Sequence, residues 1–299
     1  MNRWWEISIQ ADQSQEESIG WRLEQLGCTQ FASEMQSDGT NYLRAYVPIE
    51  RLPFLDIAAL SLQLKYDAQL LHLPAPHCRS RILQEEDWSN NWKQHWQPQE
   101  IGDSLMVYPA WIAPPTGELR HIIYLDPGSA FGTGTHPTTQ MSLEAIEMRL
   151  TGVRPQDPIQ FADIGCGSGI LAIGALLLGA ETAYAVDNDI LAVKATHHNR
   201  QLNHIPDDRL WVAEGDLHTL LAHLDAPVDG FACNILLEPI LAMIPLFEQL
   251  VKPTGWGVLS GILVDQVPQV MESLNNHKWS VATLWKRKSW CCLTIRREP

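Results

Sequence analysis

Long apolar runs are missing from this chain of 299 residues. No segment approaches the roughly 18 consecutive apolar residues that a membrane-spanning helix needs. The first six residues, M-N-R-W-W-E, also lack the basic and then apolar profile of a secretory signal. The sequence therefore predicts a cytoplasmic protein that does not associate with membranes.

Metal-binding spacings are also missing. The six cysteines include no C-x-x-C pair and no Cys/His ligand spacing, so we interpret them as reduced packing residues. His197 and His198 are adjacent, and neighbouring side chains on a helix point about 100° apart. The sequence predicts no metal site.

Basic residues are outnumbered, with 21 Lys and Arg against 35 Asp and Glu, which gives a formal net charge of −14. A non-specific nucleic-acid binder would carry a basic surface instead. The charge predicts no direct sequence-specific nucleic-acid binding, and it favours a basic protein as partner. No coiled-coil or repeat pattern is present, so we expect a monomer.

The length favours two domains. Hydrophobic periodicity in residues 1–84 predicts a βαββαβ order, which is a ferredoxin-like α+β domain. Residues 85–103 contain three tryptophans at a spacing of four and predict a linker helix. These tryptophans either dock the linker onto a neighbouring domain or are ordinary core residues of a surface helix.

Residues 104–299 predict a second domain of alternating strands and helices. From residue 158 the pattern gives strands at 159–164, 182–187, 209–214, 228–234, 256–261, 279–286 and 290–296, with helices between all but the last two. This order predicts a seven-stranded, Rossmann-like parallel sheet that ends in an antiparallel hairpin. One continuous helix is expected over 238–251.

A glycine-rich turn follows the first of these strands, in the segment F-A-D-I-G-C-G-S-G-I-L-A-I. Glycines at a strand-to-helix turn permit positive φ and let a ligand approach the backbone. Asp187 ends the next strand, where it can accept hydrogen bonds from ribose hydroxyls. The pattern indicates a nucleotide-type pocket, with Gly165 and Gly167 in the turn. The turn with Asp163 two residues ahead of it resembles the first motif of S-adenosylmethionine-dependent methyltransferases, whose cationic ligand would favour a nearby carboxylate such as Asp163.

Two further segments carry polar or flexible residues at the same edge of the sheet. The segment L-D-P-G-S-A-F-G-T-G-T-H-P-T-T-Q (residues 125–140) is too rich in glycine and proline for regular structure, and it predicts a loop over the site. Asn234 ends the fourth strand, and in this it resembles amino-group methyltransferases, which often carry at this position an Asn or Asp whose carbonyl orients the target amine. Alternatively, Asn234 caps the helix that follows it, and both roles are compatible.

These motifs together resemble the PrmA-type methyltransferases, which modify ribosomal protein L11 of the large subunit. The resemblance rests on L-D-P-G-S-A-F-G-T-G-T-H-P-T-T, D-I-G-C-G-S-G-I-L-A-I, the V-D strand end, N-I-L, D-W-x-x-x-W-K and S-W-C-C. It implies S-adenosylmethionine as cofactor and an amino-terminal domain that recognises the protein substrate. It also implies a mobile linker that carries this domain over the methyltransferase domain.

The resemblance further implies that Thr139, Gly165, Asp187 and Asn234 contact S-adenosylmethionine, and that Phe131 and Gly132 lie against it. The expected reaction is methylation of lysine side chains and of the N-terminal amine, with Asn234 as the catalytic residue. Three alternatives remain open: methylation of lysines in another protein, methylation of nucleic-acid amino groups, and a non-catalytic module that binds cofactor and docks on the ribosome. The acidic charge and the absence of an aromatic residue after Asn234 disfavour nucleic acid.

Overall fold

The structure is a computed structural model that describes residues 3–28, 31–35, 40–71, 73–84, 97–126, 134–151 and 158–297. It divides into an amino-terminal unit, residues 1–96, and a carboxy-terminal unit, residues 97–299. In the described part of the chain, no helix combines the length and the apolar character needed to cross a membrane.

The amino-terminal unit is a sheet covered on one face by two helices. Its elements are β1 (Arg3–Asp12), α1 (Glu16–Gln25), β2 (Phe31–Met35), β3 (Thr40–Pro48), α2 (Phe54–Leu70) and β4 (His77–Gln84). The strands pair antiparallel in the order β2-β3-β1-β4. Alternate residues of β1 and β3, such as Ile7 and Leu43, are fully buried with Leu60 of α2 and form the core.

The carboxy-terminal unit opens with a small sheet. Its strands are β5 (Gln99–Ile101), β6 (Leu105–Pro109) and β7 (His121–Leu125), where β5 and β6 pair antiparallel and β6 and β7 pair parallel. The linker helix predicted over residues 85–103 is wrong at its carboxyl end, because residues 99–101 form strand β5. Pro98 precedes this strand and disfavours a helical conformation at the residue before it. The remaining linker residues with the three tryptophans, 85–96, lie outside the described residues.

The large sheet and its helices follow. They are α3 (Pro137–Leu150), β8 (Gln160–Ile164), α4 (Ile170–Leu177), β9 (Thr182–Asp187), α5 (Ile190–Leu202), β10 (Leu210–Glu214), α6 (Leu217–His223), β11 (Val228–Asn234), α7 (Leu237–Met243), α8 (Phe247–Leu250), β12 (Val251–Leu263), α9 (Val267–Asn276), β13 (Trp279–Arg287) and β14 (Trp290–Arg297). The strand order is β10-β9-β8-β11-β12-β14-β13. Strands β8 to β12 run parallel, and β13 and β14 form an antiparallel pair at one edge. The predicted α/β alternation is confirmed.

The prediction of one helix over 238–251 is wrong. Helix α7 ends at Met243, a 3-10 turn covers Ile244–Leu246, and α8 is a single short turn. Pro245 lies inside the 3-10 turn and cannot donate a backbone hydrogen bond, which breaks the α-helical ladder there. The strand predicted at 256–261 begins earlier, at Val251, because Val251 pairs with Val228 before a register shift.

Candidate active site

Four neighbouring parallel strands end at one edge of the large sheet. The residues that follow β8 form the glycine-rich turn, Asp187 is the last residue of β9, and Asn234 is the last residue of β11. Ligands bind beyond the carboxyl ends of strands in sheets of this kind. The structure therefore brings Gly165, Asp187 and Asn234 to a common edge, as the sequence predicts.

The glycine-rich turn requires glycine at two of its positions for steric reasons. Gly165 has a φ of +72°, and a Cβ there would lie 2.4 Å from Cγ2 of Ile235. Gly169 has a φ of +79°, and a Cβ there would lie 2.6 Å from Cγ2 of Thr196. The amide of Gly165 donates to the Val186 carbonyl at 2.9 Å, which fixes the turn to β9. The backbone of the turn can therefore approach Ile235 and Thr196 this closely only because glycine has no side chain.

Asp187 links the strand end to the turn. One carboxylate oxygen accepts from the Gly167 amide at 2.9 Å, and the other accepts from the Asp189 amide at 3.0 Å. The side chain is partly exposed, so each oxygen retains acceptor capacity toward a ligand. This geometry suits a ribose whose two hydroxyls donate to one carboxylate.

Asp163 is completely buried at the end of β8. Its Oδ2 atom accepts from the Ala172 amide of α4 at 3.0 Å. Burial raises the pKa of this carboxyl to about 7, and the nearby Asp187 adds to the rise. The sequence predicts a carboxylate at this position. Burial instead makes the protonated form substantial near neutral pH, so a cationic ligand group would have to stabilise the ionised form.

Thr139 lies in the first turn of α3 and is completely buried. The helix begins at Pro137, and the His136 side chain caps it by accepting from the Thr138 amide. The His136 imidazole also lies 2.6 Å from the Thr138 hydroxyl, and burial together with Lys288 lowers its pKa to about 4. His136 therefore serves the helix start as a neutral ring.

Asn234 does not cap the following helix, which corrects that alternative. The residue before α7 is Leu236, and no side chain makes a capping hydrogen bond there. The Oδ1 atom of Asn234 is buried and has no hydrogen-bond partner among the described residues. The acceptor is thus available to a ligand at the strand end.

Among the described residues of the predicted site, three buried polar atoms have no hydrogen-bond partner: Thr139 Oγ1, Asp163 Oδ1 and Asn234 Oδ1. A buried polar atom without a hydrogen bond costs about 1–3 kcal/mol, so native proteins rarely keep several of them together. Bound ligand groups that donate hydrogen bonds would remove this cost. The residues present therefore fit a polar, amino-bearing nucleoside cofactor.

Phe131 and Gly132 lie outside the described residues. Asp216 follows β10, the fourth of the parallel strands that end at this edge of the sheet. Its carboxylate accepts from the His218 and Thr219 amides and so caps α6.

Sequence reasoning missed two residues of α5 that touch the turn. The Thr196 hydroxyl donates to the Gly167 carbonyl at 3.0 Å, and the Asn199 amide nitrogen donates to the Ser168 carbonyl at 2.8 Å. Both side chains are completely buried. The available signal is their spacing, because residues i and i+3 share one face of a helix, and a buried face seldom carries polar residues without partners.

Comparison with known proteins gives a consistent result over almost the whole chain. The family model described as "Ribosomal protein L11 methyltransferase (PrmA)" matches residues 3–298. A ribosomal protein L11 methyltransferase from Thermosynechococcus vestitus is 45% identical over 299 residues, which cover 100% of this chain and 98% of that protein. One of the same name from a Cyanothece species is 44% identical over 298 residues, 99% of each chain.

A solved structure gives the same relationship in three dimensions. The ribosomal protein L11 methylase from Lactobacillus delbrueckii subsp. bulgaricus is 31% identical and superposes with a TM-score of 0.60. The match covers 68% of this chain and 100% of that structure.

Proposed function

The chain belongs to the ribosomal protein L11 methyltransferase family, and we propose that it transfers methyl groups from S-adenosylmethionine to lysine side chains and the N-terminal amine of ribosomal protein L11. The observation that carries this proposal is the group of three buried acceptor atoms without partners, Thr139 Oγ1, Asp163 Oδ1 and Asn234 Oδ1. Asp163 and Asn234 lie near the carboxyl ends of β8 and β11, and Thr139 lies in the first turn of α3.

The cofactor would be held by the turn and by two acids. Asp187 would accept from both ribose hydroxyls, and the glycine-rich turn, with Gly165 and Gly167, would allow close backbone approach. Asp163 and Thr139 would receive the amino group of the methionine moiety. Such a contact would also shift Asp163 toward its ionised form, because a nearby cation favours a carboxylate.

Asn234 is the proposed catalytic residue. When bound, S-adenosylmethionine supplies a methyl group on a sulfonium centre that an amine can attack in line. A lysine in water has a pKa of about 10.4, so its ammonium must lose a proton before its lone pair can attack. The Asn234 Oδ1 atom would accept a hydrogen bond from the amine and aim the lone pair at the methyl group. Desolvation would favour the neutral amine, and the proton leaves to solvent.

His136 has no place in this mechanism. Its ring caps α3 and contacts Thr138, and it lies edge-on to Trp290 with ring centroids 5.2 Å apart. With a pKa of about 4 it would be a weak base for an ammonium. The proposal therefore needs an orienting acceptor, and no strong general base.

The finer parts of the proposal concern the domains. We assign substrate recognition to residues 1–84 as a ferredoxin-like domain, linkage to the residues from 85 up to strand β5, and S-adenosylmethionine-dependent transfer to the unit that follows, with a seven-stranded, Rossmann-like fold. The sheet order β2-β3-β1-β4 supports the first assignment. The net charge of −14 suits a basic ribosomal protein as partner. We also propose that the protein acts as a monomer in the cytoplasm, where ribosomes assemble, without sequence-specific contact to nucleic acid.

The test is transfer of labelled methyl groups to purified large-subunit ribosomal proteins, both free and assembled, followed by mass spectrometry. Label confined to ribosomal protein L11 on lysines and the N-terminal amine is the expected result. Label on another protein would identify that protein as the substrate in place of ribosomal protein L11. Cofactor binding without any transfer would support a non-catalytic docking module instead.

A further inference from the structure

The inner face of α5 carries a row of polar side chains. Thr196, Asn199 and Asn203 are spaced by three and four residues, so they lie on one side of the helix and of the residue that follows it. Thr196 and Asn199 are completely buried, and both make hydrogen bonds to backbone groups of other segments. Buried side chains with this many specific partners fix the positions of the segments they join.

Asn199 uses both ends of its amide group. The nitrogen donates to the Ser168 carbonyl of the glycine-rich turn at 2.8 Å, and Oδ1 accepts from the Asp126 amide at 2.9 Å. Asp126 directly follows strand β7. One side chain therefore ties three segments together: α5, the end of β7 and the turn.

The turn depends on such outside contacts. Gly167 and Gly169 both have positive φ and no Cβ, so local sterics do little to fix the orientation of their peptide groups. The carbonyls of Gly167 and Ser168 are instead held from the α5 side, by Thr196 and Asn199 respectively. With these carbonyls held toward α5, the remaining backbone surface of the turn has a defined orientation.

Asn203 makes a matched contact that does not reach the turn. Its Oδ1 atom accepts from the Tyr124 amide at 2.8 Å, and its nitrogen donates to the Tyr124 carbonyl at 2.7 Å. Asn203 thus holds strand β7 to α5 much as a neighbouring strand would. Asn199 also holds the turn, whereas Asn203 donates instead to the Asn199 backbone carbonyl at 2.8 Å.

We propose that Asn199 is a positioning residue for S-adenosylmethionine, because it sets the Ser168 carbonyl of the turn relative to the end of β7. The inference rests on the proposed function, since the ligand of the turn is the cofactor named there. Asn199 does not touch the reacting atoms. It acts through the Ser168 peptide and therefore affects cofactor affinity more than the rate of transfer.

The experiment compares Asn199→Ala with Asn203→Ala. Each variant removes one side-chain amide and leaves two backbone groups of neighbouring segments without their partner. Asn203→Ala also removes the hydrogen bond to the Asn199 carbonyl of α5. Calorimetric titration with S-adenosylmethionine gives Kd, and methylation of ribosomal protein L11 gives KM for the cofactor and kcat. We expect Asn199→Ala to raise Kd and KM about tenfold, as for loss of one buried hydrogen bond, with kcat at saturating cofactor changed less than about twofold. Asn203→Ala should lower Tm but leave Kd within about twofold.

Asn199→Leu keeps the size of the side chain, removes both hydrogen bonds of the amide, and serves if the alanine variant does not fold. The same rise in Kd is expected. Wild-type affinity in the folded Asn199 variants would overturn the inference, and so would an equal loss of affinity in Asn203→Ala. If the wild-type protein itself bound no S-adenosylmethionine, the proposed function would fail, which is a separate and recognisable outcome.

Discussion

The carboxylate of Asp187 accepts a hydrogen bond from the backbone amide of Gly167 at 2.9 Å. This bond joins the end of β9 to the glycine-rich turn at the end of β8. Two sequence motifs that are separated along the chain thereby form a single surface. The relationship gives each motif a role that can be tested on its own.

The first prediction concerns the ribose contact. Asp187→Ala should weaken S-adenosylmethionine binding by about 10- to 100-fold, because hydrogen bonds to a charged acceptor contribute about 1.5–3 kcal/mol. Isothermal titration calorimetry measures this directly. The matched control is Asp189→Ala, whose carboxylate caps α5 by accepting from the Leu191 amide at 2.8 Å. That control should lose about 1 kcal/mol of stability and keep its affinity. Equal affinity losses in both variants would argue against a ribose contact.

The second prediction concerns Asn234. Asn234→Ala should lower kcat about 100-fold, as removal of an orienting polar group in an active site commonly does. The Kd for S-adenosylmethionine should rise no more than a few fold, because Asp187 and the turn remain. Single-turnover methylation of ribosomal protein L11 separates the two effects. Asn276→Ala, at the exposed end of α9, is the control and should behave as wild type. An unchanged kcat in Asn234→Ala would remove this residue from the mechanism.

The third prediction follows from the buried Asp163. Its pKa rises from 3.8 in an unfolded chain to about 7 in the folded protein, mainly through burial. The folded state therefore holds the proton more tightly than the unfolded chain does. The stabilisation is complete below pH 3.8 and is lost as the pH rises to about 7.

Asp163→Asn removes this titration while preserving the shape of the side chain. Relative to wild type, the free energy of unfolding of the variant should increase between pH 4.5 and 7.5, by about 3 kcal/mol. Urea denaturation of the cofactor-free proteins, followed by circular dichroism at several pH values, measures the difference. A difference that stays constant over this range would show that Asp163 is ionised throughout.

Local patterns along the chain were enough to predict much of the site. A buried strand, a glycine-rich turn and a following helix are consecutive, so Gly165 and Asp187 could be placed at the ligand edge from the sequence. Asn234 could be placed in the same way, from the end of a mostly apolar strand. In each case the informative residues are near neighbours in the chain, and the rules for parallel sheets bring the strand ends together.

The hydrogen bonds of Asn199 and the pKa of Asp163 could not be predicted, because they depend on contacts between segments that are distant in the sequence. Asn199 bonds to Ser168 and to Asp126, and nothing local to α5 indicates either partner. The raised pKa of Asp163 comes from complete burial, which only the packed structure reveals. The break at Pro245 is different, because proline is a local signal that outweighs the apolar periodicity on which the single predicted helix rested.

The last prediction tests the need for glycine at the turn. Gly165→Ala places a methyl group 2.4 Å from Ile235 and forces alanine into a φ of +72°. The two penalties together should cost about 2–4 kcal/mol of stability and remove measurable cofactor binding. Gly179→Ala is the matched control, since Gly179 has a φ of +113° but nothing within 4 Å of the added Cβ. It should cost about 1–2 kcal/mol from backbone strain alone and keep the wild-type Kd. Thermal unfolding and calorimetry on both variants separate crowding at Ile235 from backbone strain. Equal losses of stability and equal Kd values in the two variants would show that the contact of Ile235 with the turn contributes neither to stability nor to cofactor binding.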